Sequence, residues 1–417
     1  MMTTDEACCP EMRAMSRRGV LQGAALLGAS ATIGSAVVTI AGAAPAAAAS
    51  TLGTGTIVVL SLRGAADGLS LVVPHGDAAY YAARPTIAIP KTSLLAADSF
   101  FGLHPKLAPL LPLWNAGTLA AVHATGLPVA NRSHFAAMEQ LEDADPGSAA
   151  RVGWLNRMIG TDTDTSPLQG LALGSLVPTS LQGPEGALSM PSLADSLAGD
   201  PAYAPGTPRT VSLGCAWSKD SSPMATAMRS TLAATPKLAT ALTQPDRTST
   251  YGGSDLGAAL ATVARVIKAG IGVSAVTVDQ GDWDMHTDLG TLTKGRMLAN
   301  AGDLATAIAA FFADLGTLAS NVTLVTISEF GRRVAENSNA GLDHGWGNVM
   351  FVAGAGVKGG KYYGTWPGLT NSLDADLTVT TDYRSVLAEI VAARTTASTA
   401  TVFPGFSPTT VGVMRTA

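Results

Sequence analysis

The chain has only three cysteines in 417 residues. Two of them, Cys8 and Cys9, fall in an N-terminal segment that reads as a removable leader. That leaves Cys215 alone, so no intramolecular disulfide can brace the mature chain and the fold must rest on its core. Charge is also sparse. Only 14% of residues are Asp, Glu, Lys or Arg, the net charge is −5 and the isoelectric point is near 5.7. A weakly charged, slightly acidic chain lacks the basic surface that nucleic acid or an anionic lipid surface would need. There is no internal repeat and no heptad. Past the leader, no helix reads as apolar enough to cross a membrane, so no stable span is expected after cleavage.

The first 49 residues carry Ser16-Arg17-Arg18-Gly19-Val20-Leu21, then a mildly apolar Ala/Gly-rich stretch, then Ala47-Ala48-Ala49. A charged start, an apolar middle and an Ala-x-Ala end form a twin-arginine export signal rather than an uncut anchor. Residues 1–49 are therefore expected to be a signal peptide read by the Tat export machinery. The destination is periplasmic, extracellular or in the cell envelope. That route carries proteins already folded, which suits an enzyme whose metal is loaded before export.

What remains, residues 50–417, is long for one domain but within reach of a large α/β enzyme, and 47% hydrophobic residues supply ample core. β-rich runs alternate with helical periodicity, as in a parallel sheet flanked by helices. Strands are expected at 55–62, 118–126, 273–280, 321–328 and 348–356. Helices are expected at 104–117, from 131 to 143 with Asn131 or Ser133 as cap, at 254–270 with Ser254 as cap, at 301–319, and at 380–393 with Thr381 as cap. Residues 161–253 are dense in Pro, Ser, Thr, Gly and Ala with weak periodicity. They read as a cap or insertion over the sheet, not as a separate domain.

In open parallel sheets ligands bind beyond the carboxyl ends of the strands. The first strand is followed by Arg63, Asp67 and Gly68, and the second by Asn131, Arg132, Ser133 and His134. After 273–280 come Asp282, Asp284 and His286. After 321–328 come Glu329, Arg332 and Arg333, and later Asp343 and His344. Carboxylates from Asp67, Asp282 or Asp284, Glu329 and Asp343 would repel one another unless a cation joined them. With His286 and His344 adding nitrogen, one or two divalent ions are expected: zinc first, manganese or calcium as alternatives. Ser133, at a helix start, suits a nucleophile or an anion site, and Arg63, Arg132 and Arg332 suit an anion clamp.

Each residue also has a plainer use. Ser133 can cap its helix, Asp67 can serve a turn before Gly68, and Arg333 can pair with Glu336. His75, His104 and His123 read as structural, and His134, ranked below His286 and His344, as locally hydrogen-bonded.

The stretches "LRGAADGLSLVVPHGDAAYYAARP" (62–85), "LHPKLAPL" (103–110), "NRSHFAAMEQLE" (131–142), "DWDMHTD" (282–288), 328–369 and 377–390 together resemble the secreted bacterial family called domain of unknown function 1501. The resemblance implies an alkaline-phosphatase/sulfatase-like, doubly wound α/β fold, with a mostly parallel sheet and a metal-supported site. In metal-dependent phosphatases of that superfamily an Asp precedes a His by four positions, which fits Asp282 and His286. The family's Gly-Gly-Trp-Asp-Thr-His pattern points instead to Asp284. Where such phosphatases carry Asp-His at the next strand end, this chain has Ser328-Glu329, with Asp343-His344 fifteen residues later. No sulfatase-type Cys-x-Pro-x-Arg is present, since Cys215 lies in "LGCAWS". The expectation is an exported metal-dependent hydrolase of a small phosphate or sulfate ester. A non-catalytic secreted binding or surface-assembly protein on the same fold is the alternative.

Overall fold

A computed structural model describes residues 29–33, 36–40, 50–53, 55–164 and 166–415. The twin-arginine motif (16–21) and the Ala-Ala-Ala run (47–49) lie outside those residues. Nine strands make one sheet: β1 (Thr56–Leu62), β2 (Leu119–Gly126), β3 (Gly170–Leu173), β4 (Ala187–Met190), β5 (Ala275–Gln280), β6 (Val322–Ile327), β7 (Asn348–Gly354), β8 (Tyr362–Tyr363) and β9 (Thr381–Asp382). Their order is β4-β3-β5-β1-β6-β7-β2-β8, with β9 also on β2. All neighbours pair in parallel except across β7, which runs against both β6 and β2. Two further strands, Ala29–Ile33 and Ala36–Ile40, pair with each other, and the second lies antiparallel to β4.

The sequence of β1 shows why it sits centrally. All seven residues are buried. Alternation sends Val58, Leu60 and Leu62 to one face and Ile57 and Val59 to the other. Four helices cover these faces: α1 (His134–Asp143), α2 (Asp255–Lys268), α3 (Arg296–Leu315) and α4 (Tyr383–Arg394). Leu256, Leu260, Leu304, Ile308 and Phe311 from α2 and α3 share the core of the first face. Met138, Leu141, Val386, Leu387 and Ile390 from α1 and α4 share that of the second. The fold is thus the expected α/β sheet with helices on both sides.

Several boundaries differ for local reasons. Pro109 and Pro112 lack an N–H and interrupt 104–117, which becomes a 3-10 turn (Pro105–Leu110) and a short helix (Leu111–Asn115). Asp382, not Thr381, caps α4, its side chain accepting from the Arg384 N–H. The segment 161–253 does more than cover the sheet, because it supplies β3 and β4 as well as helices Pro208–Trp217 and Pro223–Leu242. One expectation is corrected: residues Arg296–Asn321 are long and apolar enough to cross a membrane. In this fold that composition serves the core, since Leu304, Ile308, Phe311 and Leu315 pack inward.

His104 and His123 are structural, as expected. His104 caps the 3-10 turn, its Nδ1 accepting from the Lys106 N–H at 3.0 Å. His123 lies in β2, its ring stacked on Phe101 at 4.5 Å. Burial lowers each to about 4. The unfolded chain then takes up protons below pH ~6.5 that the folded chain refuses, so stability falls as pH drops from about 6.5 towards 4, by about 2–3 kcal/mol per group. Urea melts at pH 7 and pH 4.5 should show this loss, and His123→Phe should narrow it measurably. An unchanged gap would show that His123 does not contribute.

Candidate metal centre

Because β7 runs against its neighbours, its start lies at the same edge as the ends of β1, β2, β5 and β6. Four carboxyl ends and one amino end therefore feed one site. The chain leaving β6 returns on itself to reach β7. Arg332 bridges His344, with the Arg333 N–H on the Asp343 carbonyl at 2.9 Å and the Gly345 N–H on the Gly331 carbonyl at 2.8 Å. That return closes the fifteen-residue gap between Glu329 and His344. On the other side Gly64, at φ 106°, lies so close to the loop after β5 that a Cβ would come within 2.5 Å of the Asp284 nitrogen. Only glycine lets the two loops meet.

Three imidazoles converge there. The Nε2 of His344 lies 3.0 Å from that of His134 and 2.9 Å from that of His286. Asp284 Oδ1 sits 3.1 Å from the His286 Nε2 and 3.7 Å from the Nε2 of both His134 and His344. Ligand atoms of His134, Asp284 and His344 all fall within 4.8 Å of one another.

Each ring is held from behind through Nδ1. His134 faces Glu329 Oε1 at 3.1 Å, His286 faces Asp343 Oδ1 at 3.0 Å, and His344 faces the Arg132 carbonyl at 2.9 Å. A carbonyl only accepts, so the His344 Nδ1 carries the proton, and ionised Glu329 and Asp343 ask the same of the other two. With Nδ1 engaged, Nε2 is the atom each ring offers to the cluster. A metal ion could be shared by His134, Asp284 and His344, while the His286 Nε2 also lies 3.4 Å from the Arg332 guanidinium. Three nitrogens and one carboxylate oxygen, with imidazoles oriented by outer carboxylates and a carbonyl, form a donor set suited to zinc-type ions.

Charges at the site follow from the same contacts. Burial raises the Asp284 carboxyl, but the Arg332 hydrogen bond and charge, with His286 and His134, outweigh it and hold the group below its usual range. The His286 hydrogen bond holds Asp343 low against partial burial. Burial, aided by Arg332 and the two other rings, lowers His344 against the raising effect of its hydrogen bond to the Arg132 carbonyl.

The structure sorts the expected residues into distinct places. Asp284 and His344 join His134 in the group that could hold a metal ion, with His286 beside them, and it is Asp284, not Asp282, that faces the imidazoles. Glu329 and Asp343 stand behind histidines. Arg332 is buried and donates to Asp284 at 2.6 Å, so it positions a ligand instead of facing solvent. Asp282 projects outward and pairs with Arg296. Asp67 is not brought to the cluster, because Arg84 takes both its oxygens, at 2.5 and 2.9 Å, with neither residue exposed. Arg63 pairs with Glu142 at 2.6 Å and Asp279 at 3.1 Å, and Arg132 pairs with Asp376. Ser133 is the backbone N-cap of α1, and among the described residues its hydroxyl has no hydrogen-bond partner.

His134 is not held locally: its Nδ1 faces Glu329 and its Nε2 faces His344, 195 and 210 residues away. It shows the same sequence signal as the others, a metal-binding residue type just past a strand end. Beside the cluster opens a groove of about 670 Å³, whose wall includes Arg63, His134, Phe135, Glu142, Thr179, Asp284, Arg296 and Glu329.

The two roles can be separated by substitution. Asp67→Ala leaves the Arg84 charge buried and unpaired and should cost about 3–5 kcal/mol in a urea melt. Any of the variant that remains folded should keep full metal content. Metal loss in folded Asp67→Ala protein would restore it as a ligand.

Residues 114–403 match the family described as "Protein of unknown function (DUF1501)". Searches of curated proteins and of solved structures returned no match. The family match spans well over half of the 417 residues, so this chain belongs to the DUF1501 family.

Proposed function

We propose that the protein is an exported, metal-dependent hydrolase of a phosphate or sulfate ester. One observation supports this above the others: His134, Asp284 and His344 bring ligand atoms within 4.8 Å of one another while the Nδ1 atoms of both rings are already engaged. His134, His286, His344 and Asp284 would hold a single divalent ion, zinc by the donor set. Bound there, the ion would act as a Lewis acid on an ester oxygen. An alkaline-phosphatase-like ancestry agrees with the position of the site at the carboxyl edge.

The chain's own residues account for binding and orientation. Arg332 fixes the Asp284 carboxylate, while Glu329, Asp343 and the Arg132 carbonyl fix the three rings. Arg63 and Arg296 face the groove, where a substrate anion could draw hydrogen bonds from them. The groove wall sets these two arginines against five carboxylates, Glu139, Glu142, Asp282, Asp284 and Glu329. It would repel an anion until a cation joined it, which couples substrate binding to metal loading. Ser133, an exposed residue next to His134 in the chain, would help to orient the ester.

The second reading is a metal-binding secreted protein without catalysis. It is favoured by Ser133, whose hydroxyl has no base in hydrogen-bond reach to activate it.

Elemental analysis of purified protein should find about one equivalent of divalent metal. His134→Ala and His344→Ala should lose the metal and any ester turnover together. Replacing an outer partner, as in Glu329→Gln, should weaken metal affinity or activity by about 10–100-fold. Metal binding should also weaken as pH falls, because protons compete with the metal for its ligand atoms. Wild-type metal content in both histidine variants would overturn the site, and metal without turnover on any ester would leave the binding reading. Export is part of the same proposal: Arg17→Lys with Arg18→Lys should hold the protein in the cytoplasm, and unimpeded export would refute the twin-arginine route.

A further inference from the structure

The outer edge of the sheet is finished by residues of the expected leader. Val37, Val38 and Thr39 pair antiparallel with Ser189, Leu188 and Ala187 of β4, and Ala36–Ile40 pairs in turn with Ala29–Ile33. With that partner in place, β4 is buried along its whole length. The helix Pro223–Leu242 also lies against both leader strands. The mature chain is fastened just past the expected cut. The Ser50 hydroxyl donates to Asp162 at 2.5 Å, and the Thr51 N–H and hydroxyl donate to the same carboxylate at 2.6 and 2.9 Å. These bonds lie on the mature side, so loss of residues 1–49 leaves the chain anchored ahead of β1.

The register shows what the cut would uncover. The Met190 carbonyl accepts from the Gly174 N–H at 3.0 Å, on the β3 side. Alternation turns the backbone groups of Ala187 and Ser189 the other way, outward, where Thr39 and Val37 are their partners. Without the leader these groups stand unpaired on a strand, "ALSM", that has no charge and no proline to discourage pairing. Two copies of this edge complement each other. Set antiparallel about a twofold axis at Leu188, Ala187 of each copy faces Ser189 of the other, and every outward group finds a partner. The two Leu188 side chains then meet on one face as a close cross-strand pair.

We propose that the leader doubles as a removable edge strand: it keeps the precursor monomeric, and its removal lets two mature chains pair through β4. This rests on the reading that residues 1–49 are cut away, and it gives them a role besides export.

The test cuts the full chain in solution, so its result does not depend on the export route. A specific protease site is placed between Ala49 and Ser50, and light scattering reads the mass before and after cutting. The uncut protein should have the mass of one chain, and the cut protein, freed of its leader, the mass of two. A synthetic peptide of residues 29–40 in excess should return the cut protein to the mass of one chain, with one peptide bound to each. The same peptide with Val37→Pro lacks an N–H turned towards Ser189 and should bind about tenfold more weakly.

A cut protein that stays at the mass of one chain overturns the proposal, whether or not the leader remains bound to it. An uncut protein that already pairs, or that binds the peptide as well as the cut protein does, also overturns it. So does a pair that the peptide fails to separate, since the contact would then lie elsewhere. Unimpeded export of the Arg17→Lys, Arg18→Lys protein would refute the twin-arginine route and leave this result standing.

Discussion

The Arg332 guanidinium is buried at the point where three connections meet. It donates to the Gly64 and Ala65 carbonyls after β1, to the Trp283 carbonyl and Asp284 carboxylate after β5, and to the Leu342 carbonyl on the return towards β7. A buried charge is tolerated only when its donors are satisfied, and here one carboxylate and four carbonyls satisfy them. Those acceptors come from segments more than 200 residues apart in the chain, from Gly64 to Leu342. Asp284 can face the imidazoles only because the loops lie where Arg332 needs them. The Asp67–Arg84 pair repeats the arrangement nearby, with Arg84 also donating to the Val334 and Arg333 carbonyls. Two buried arginines thus shape the floor beneath the histidines.

Much of this was legible in the sequence. Runs rich in Val, Ile and Leu such as 56–62 and 322–327 announce buried parallel strands, and charged residues just past them announce a site. What the chain does not disclose is which polar residue another has already engaged. Asp67, Asp282 and Asp284 look alike as residues after strands. The first is bound to Arg84 seventeen positions on, the second to Arg296, and only the third is turned inward by Arg332. His134 is hard to read for a related reason: its partners, Glu329 and His344, lie 195 and 210 residues further along the chain and leave no local mark. β3 and β4 escaped notice because four-residue strands such as "GLAL" and "ALSM" have too little length to show a period.

The reversed strand β7 is what makes a compact cluster possible. In a wholly parallel arrangement, the segment before a strand begins at the opposite edge from the segment after it. Reversal lets Asp343 and His344, which precede β7, stand beside Glu329 and Arg332, which follow β6. The glycines at 331 and 345 allow the return to be tight. A Cβ on Gly331 would come within 1.8 Å of the Gly347 carbonyl, and one on Gly345 within 2.4 Å of the Arg332 backbone.

The inner ligands are widely spaced along the chain: 150 residues separate His134 from Asp284, and 60 separate Asp284 from His344. No short segment holds even two of the strands that deliver them next to each other. An ion joining them would close two long loops at once, and it would bind the folded chain in preference to the unfolded one. Occupancy would then report that the entire central sheet has assembled in register, because a partly folded chain offers separated donors. The cation would act as a latch on completed folding as well as a reagent, and its loss would loosen strands at both ends of the sheet's middle.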